Sequence, residues 1–258
     1  MLITMNGLVL RETNAGDKGR FIDILTEKQG VIEVYVPGAK KITGKSIGTT
    51  QLFSYASFCI EQRGERYYYQ SARPIRIFYQ LRENLVNLSL ASYFAELLRL
   101  TVPKAVQDGS VLRLMLNTLH FLSEGKRSHK MLKPLFELRF ASELGFLPDV
   151  LMCRRCMEHL QERLVFLVDD GCFYCSECYG ITAETEKSNA DNANAYHMKL
   201  SGLEMIRHIT LSDPERLFNF RAGDEVIRIV SEFSEAFICR HLSVKPRSLA
   251  FYKSLAVL

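Results

Sequence analysis

The chain has 258 residues, 47% of them hydrophobic, and a formal net charge of only +4. That is enough apolar material for a real core in one large domain or in two or three small ones. No run approaches the ~20 apolar residues a membrane helix needs, and the start MLITMNGLVLRE has no basic region, with Asn6 and Gly7 interrupting its apolar part, so neither a membrane span nor a signal peptide is expected. A cytoplasmic location with reduced thiols follows. The charge is unevenly spread: residues 1–80 hold eleven Lys and Arg against seven Asp and Glu, and residues 239–258 hold four basic residues and no acidic one. Basic faces of this kind suit an anionic partner.

Residues 1–80 read as β. Short apolar runs (MNGLVLRE, FIDILTEKQGVIEVYVPGA, QLFSYASFCIEQ, RYYYQSARPIRIFYQ) are punctuated by glycine, with hairpin turns at Gln29-Gly30 and Arg63-Gly64. About five strands in this length suit a small barrel. The OB-fold is the five-stranded form of that size, with an SH3-like barrel as the alternative.

Near Leu81 the period changes. LRENLVNLSLASYFAELLRLTV carries apolar residues at helical spacing, and VLRLMLNTLHFLSEG and KMLKPLFELRFASELGFLP follow as two more helices. The polar stretch TAETEKSNADNANA reads as a linker, and KLSGLEMIRHITL and GDEVIRIVSEFSEAFICRHL as closing helices. The expected class is α+β: a barrel over 1–80, then a helical domain over 81–258 with a cysteine module inserted at 150–182.

That module is CRRCMEHLQERLVFLVDDGCFYCSEC. Cys153/Cys156 and Cys175/Cys178 form two Cys-x2-Cys pairs at zinc-ribbon spacing, and LVFLV is the strand of a hairpin that would return the second pair to the first. Cys172 makes a second, overlapping Cys-x2-Cys with Cys175, so it stands as an alternative ligand. Four thiolates would close the shell of one structural Zn2+ and leave no position for a substrate. The deaminase and His-Glu-x-x-His patterns are missing, so no catalytic residue is assigned and the chain is not expected to be an enzyme. His159 reads as exposed.

AKKITGKS at 39–46 fits a relaxed phosphate-loop pattern, but such a loop must open a helix. IGTTQLFSYASF, which follows, reads as strand. Lys40, Lys41 and Lys45 make better sense as a basic loop between strands, suited to a phosphate backbone. Arg11, Lys18 and Arg20 flank the first turn, where OB-folds bind oligonucleotides. Arg66 continues the basic track, with Arg63, Arg73 and Arg76 beside it. Tyr68, or else Tyr67 with Tyr69, faces outward to stack on a base, because alternate residues of a strand face opposite sides.

GLVLR at 7–11, the turn with Gly16 and Asp17, FIDILTEKQGVIEVYVPGAKK, ELGFLPDVLMCRRC and the second Cys-x2-Cys together resemble the RecO family of bacterial recombination mediators. The resemblance covers essentially the whole chain and is strongest at 7–41 and 136–178. Two positions depart from it: Gly171-Cys172 stands where many members have Gly-Gly, and Met157 where a glycine commonly follows the first pair. The resemblance implies an N-terminal OB-fold, a helical domain and a zinc module. It also implies binding of single- and double-stranded DNA, annealing of complementary strands, and loading of RecA together with RecR and the single-strand-binding protein, in the cytoplasm at the nucleoid, with RecF as a further partner. Arg240, Lys245 and Arg247 then become candidates for docking a partner such as the acidic, apolar tail of the single-strand-binding protein. A zinc-stabilised adaptor that binds proteins without touching DNA is the alternative reading.

Overall fold

The computed structural model describes residues 1–16, 19–38, 48–102, 109–160, 162–185 and 194–256. The chain is mixed α+β and divides into two compact units, residues 1–129 with 246–258, and residues 130–245.

The first unit opens with five strands: β1 (Leu2–Asn14), β2 (Gly19–Thr26), β3 (Val31–Pro37), β4 (Ser54–Arg63) and β5 (Arg66–Ile77). They hydrogen-bond in the order β1-β2-β3-β5-β4, and β4 pairs back onto β1, so the sheet closes on itself. All neighbours run antiparallel except β3 and β5, where Val34 meets Tyr67 and Tyr35 meets Tyr68 in parallel. The period of two decides which side chains point inward: Ile22 and Ile24 on β2, Ile32, Val34 and Val36 on β3, and Ala56, Phe58 and Ile60 on β4 form the core with Val9 and Tyr69. Gly7 lets β1 lie close on β2, since a Cβ there would sit 2.2 Å from Ile24 Cγ2. The β4–β5 turn passes through Gly64 at φ +59°, a conformation glycine adopts without steric cost.

A 3-10 turn (Tyr79–Glu83) leads into α1 (Leu85–Thr101) and α2 (Ser110–Ser123). Asn84 caps α1 by accepting the N–H of Asn87 at 3.0 Å, and α1 stops just before Pro103, as a following proline demands. The last helix of the chain, α7 (Arg247–Ala256), lies against α1 and buries Leu249 and Tyr252. Residues 247–256 are therefore helical, where the sequence reads as a basic tail beyond the last helix. The reason is that the cap of α7 is supplied from far upstream by Glu96.

The second unit holds α3 (His129–Glu143), the strands β6 (Arg163–Leu167), β7 (Cys172–Cys175) and β8 (Ala195–Lys199), and the helices α4 (Ser176–Thr185), α5 (Leu200–Leu211) and α6 (Asp224–His241). β6 is the centre of a small antiparallel sheet ordered β7-β6-β8. β8 and α4 occupy parts of the stretch expected as a linker and as the end of the cysteine module. Phe166 of β6 packs its ring, tilted by 52°, against Phe233 of α6 at 4.5 Å between ring centroids, which ties the sheet to the helices of this unit. Among the described residues no helix is long and apolar enough to cross a membrane.

Candidate functional site

The cysteine module is built as a knuckle facing a hairpin. The segment 150–159 carries Cys153 and Cys156, and the β6–β7 hairpin pairs Leu164 with Cys175 and Leu167 with Cys172. The hairpin turns through Gly171 at φ +65°, a backbone conformation that glycine adopts without steric cost. Helix α4 starts at Ser176, immediately after Cys175. The chain thus changes from extended to helical between Cys175 and Cys178, and this brings their two thiols to one place.

The Sγ atoms of Cys153, Cys156, Cys175 and Cys178 all lie within 4.8 Å of one another, and could hold a metal ion. Cys156 and Cys175 are 3.9 Å apart. A tetrahedral ion with Zn–S bonds of about 2.3 Å separates its sulfurs by about 3.8 Å, so the donor set fits zinc in both chemistry and span. Backbone N–H groups already point at the sulfurs: Cys175 N–H donates to Cys153 Sγ at 3.3 Å and Cys178 N–H to Cys175 Sγ at 3.4 Å. Burial opposes ionisation of Cys153, but the N–H groups of Cys156, Cys175 and Arg155 more than offset it and bring the thiol down to about 7. Cys178 is pushed up to about 12 by burial and by its sharing of hydrogens with Cys175, Cys156 and Cys153.

Cys172 lies outside this group of four. It opens β7, where an extended chain advances about 3.3 Å per residue, so the Cys172–Cys175 spacing separates two thiols that a turn would have joined. Burial and the charge of Asp170 push its thiol up to about 11. His159 is exposed and its Nδ1 meets the carbonyl of Leu151 at 3.1 Å, away from the sulfurs. Met157, directly after the first pair, holds φ +63°. That left-handed conformation is one a glycine would adopt without steric cost.

The second candidate site is on the outer face of the closed sheet. Residues that alternate with the core of β2 and β3 form two rows across the strands. Arg11, Asp23 and Glu33 make a charged row, and Phe21, Tyr35 and Tyr68 an aromatic one. Phe21 and Tyr35 have ring centroids 5.3 Å apart, and Tyr35 and Tyr68 6.1 Å. The guanidinium of Arg63 sits 4.9 Å over the Tyr68 ring. These rings line a groove of 1060 Å³ together with Arg66, Tyr67, Glu33 and Glu65.

The sequence candidates separate accordingly. Tyr68 and the exposed Arg66 belong to the groove, while Tyr69 is buried in the core. Arg11 is engaged by Asp23 at 2.8 Å, and the same carboxylate oxygen takes Arg99 of α1 at 2.6 Å. Arg20 pairs with Glu12 at 3.0 Å and donates to Thr50. Lys18, Lys40, Lys41 and Lys45, with the phosphate-loop-like stretch, lie outside the described residues. Arg240 ion-pairs with Asp169 at 2.6 Å. Lys245 is the last residue of the second unit, and Arg247 opens α7 in the first. Phe21 and Tyr35 escape the sequence reading, although the alternation of FIDIL, with Ile22 and Ile24 inward, already turns Phe21 outward.

Comparison with known proteins finds similarity along most of the chain. The model for the recombination protein O N-terminal domain matches residues 1–78, and the model for its C-terminal domain matches residues 82–250. The chain belongs to the RecO family. Similar proteins include the DNA repair protein RecO of Acetivibrio thermocellus, 26% identical over 250 residues that cover 97% of this chain and 96% of that one. The DNA repair protein RecO of Symbiobacterium thermophilum is 26% identical over 257 residues, covering 98% of each. That of Alkaliphilus metalliredigens is 28% identical over 189 residues, covering 73% of this chain and 77% of its own. RecO membership makes this a DNA repair protein, and both RecO domain matches fall on the residues that carry the two candidate sites.

Proposed function

We propose that the protein is a non-enzymatic, cytoplasmic recombination mediator whose N-terminal sheet is an OB-type barrel. It binds single- and double-stranded DNA without sequence preference, anneals complementary strands, and helps load RecA together with RecR, RecF and the single-strand-binding protein. The observation that carries this reading is the Phe21–Tyr35–Tyr68 row with Arg63 and Arg66 beside it. OB-folds bind oligonucleotides on the face of their second and third strands and on the loop joining the fourth to the fifth. The groove uses Phe21 of β2, Tyr35 of β3, and Gly64 and Glu65 of the β4–β5 turn. Aromatic rings accept the face of any base, and arginines follow the phosphates, so binding is general in sequence and sensitive to salt. Pairing of the two strands supplies the free energy of annealing. The protein's part is to hold them on basic surfaces that lessen their repulsion.

In this reading residues 1–80 are the DNA-binding domain and 81–258 the helical domain, with 150–182 as the metal module. Cys153, Cys156, Cys175 and Cys178 hold one Zn2+, which supplies fold stability and takes no part in chemistry. Arg66 and Tyr68 contact DNA, with Arg11, Lys18, Arg20, Lys40, Lys41 and Lys45 as further basic contributors. Arg240, Lys245 and Arg247 serve protein partners. The alternative, an adaptor that binds only proteins, is favoured by the exposed Leu151, Met157 and Leu160 around the knuckle. Fluorescence anisotropy with labelled single-stranded DNA at low and high salt separates the two. Salt-sensitive binding that weakens in Tyr35→Ala is the expected result, and no salt-sensitive binding would leave the adaptor.

A further inference from the structure

The knuckle that presents Cys153 and Cys156 departs at Val150 and comes back at His159, and its two ends meet on one side chain of α5. Arg207 Nε donates to the Val150 carbonyl at 2.6 Å. Its Nη2 donates to the Leu151 carbonyl at 2.8 Å and to the His159 carbonyl at 3.0 Å. A guanidinium carries its N–H groups in a rigid planar fork, and here three of them go to backbone oxygens at both ends of a single loop. His159 Nδ1 meets the Leu151 carbonyl at 3.1 Å across the same neck. Inside it, Cys153 N–H donates to the Glu158 carbonyl at 2.9 Å and Met157 N–H to the Cys153 carbonyl at 3.0 Å. Arg207 lies outside both Cys-x2-Cys pairs and belongs to no metal motif.

We infer that Arg207 is a positioning residue for the metal centre, closing the neck of the knuckle before an ion arrives and slowing the ion's escape afterwards. The inference rests on reading the four cysteines as a metal site. An ion leaves a thiolate site as its ligand arms swing away in turn. The arm bearing Cys153 and Cys156 can swing only if 150–151 separates from 159, and Arg207 bonds both. Groups that orient the ligands of a metal typically contribute 10–100-fold to its retention. A lysine cannot replace the fork, because an ammonium is a point charge on a flexible stem and does not direct its hydrogens at three oxygens in one plane.

The test uses the full chain loaded with zinc, with release into a chromophoric chelator followed in time. Arg139→Ala is the control. Arg139 also bonds a backbone carbonyl of this unit, that of Ser212 at 2.8 Å, and pairs with Glu143 at 2.7 Å, but touches no part of the knuckle among its described bonds. Arg207→Ala is expected to release zinc about 10–100-fold faster than wild type, Arg207→Lys to fall between them, and Arg139→Ala to match wild type. The cobalt(II) form reports thiolate geometry directly, and its d–d bands should change in Arg207→Ala and stay unchanged in Arg139→Ala. Should Arg207→Ala fail to fold, the release rate of Arg207→Lys decides the matter. Release from the Arg207 variants at the wild-type rate, or equal acceleration in Arg139→Ala, overturns the inference and leaves the metal reading standing. A wild-type chain that takes up neither zinc nor cobalt overturns both.

Discussion

The carboxylate of Glu96, on α1, accepts the backbone N–H of Ser248 at 2.8 Å and so caps a helix that begins far along the chain. It also takes the N–H of Arg247 at 3.1 Å and the Ser248 hydroxyl. Burial works against the charged form, but the Ser248 hydroxyl and these two N–H groups outweigh it, with Arg99 adding to them, and the carboxyl titrates below its usual value of 4.5. A lowered folded value means that the stabilisation is present above the unfolded value and is lost as pH falls through the folded one. Glu96→Ala should therefore cost about 1–2 kcal/mol at pH 7. The gap to wild type, measured by urea unfolding, should narrow as the pH falls below the usual carboxyl value and the Glu96 carboxylate takes up its proton. A gap that widens with acid would contradict this cap.

Stacking on the aromatic row makes a prediction separable from charge. Phe21→Ala and Tyr35→Ala should each weaken binding of single-stranded DNA by about 1–3 kcal/mol while leaving the slope of log K against log salt unchanged. Arg66→Ala should make that slope shallower. Titrations at several salt concentrations, with folding confirmed by circular dichroism, distinguish the two effects. If Tyr35→Ala binds as wild type does, the groove is not where bases sit.

The change from strand to helix at Ser176 predicts which thiols matter. Cys172→Ser should keep one zinc per chain, and Cys175→Ser should lose it. Elemental analysis of the purified variants gives the answer, and the reverse order would move the ligand set upstream along β7.

Met157 occupies a left-handed conformation that costs a side-chain-bearing residue about 1–2 kcal/mol. Met157→Gly should raise stability by about 1 kcal/mol, since the larger unfolded-state entropy of glycine removes part of the gain. Thermal unfolding of the zinc-loaded variants reads this directly. A lower midpoint for the glycine variant would mean that the Met157 side chain contributes contacts that outweigh its backbone strain.

In the second unit, Lys133 and Glu137 are buried together and bonded at 2.9 Å, with Glu235 at 3.1 Å from the ammonium and Ser234 donating to Glu137. Lys133→Met leaves a carboxylate in the core without its cation and should cost about 3–5 kcal/mol. The double variant Lys133→Met/Glu137→Leu should recover most of that loss, because an apolar pair has no desolvation penalty. Denaturant unfolding of the single and double variants tests the coupling.

What the sequence made readable was local. Ile32, Val34 and Val36 alternate with outward neighbours, so β3 and its inner face follow from period alone, and the spacing of the cysteine pairs brings a metal to mind before any fold is known. What stayed hidden depends on partners distant along the chain. Tyr35 draws no notice until β2 and β5 place Phe21 and Tyr68 on either side of it. Arg11 looks like a free cation until one carboxylate oxygen of Asp23 is seen to bond both it and Arg99. The last helix is short and lacks a cap in its own sequence, and Arg207 bonds carbonyl oxygens, which every residue has and no pattern marks.

The return of residues 246–258 to the unit begun by residues 1–129 sets an order of events during synthesis. The ribosome must deliver all of 130–245 before the first unit receives the helix that Glu96 caps and that seats Tyr252 against His129 at 2.9 Å. Until then the nascent first unit lacks the buried side chains of Leu249 and Tyr252. A stop codon just after Lys245 would spare every residue of the second unit, and its damage would fall on the unit that contains the aromatic groove.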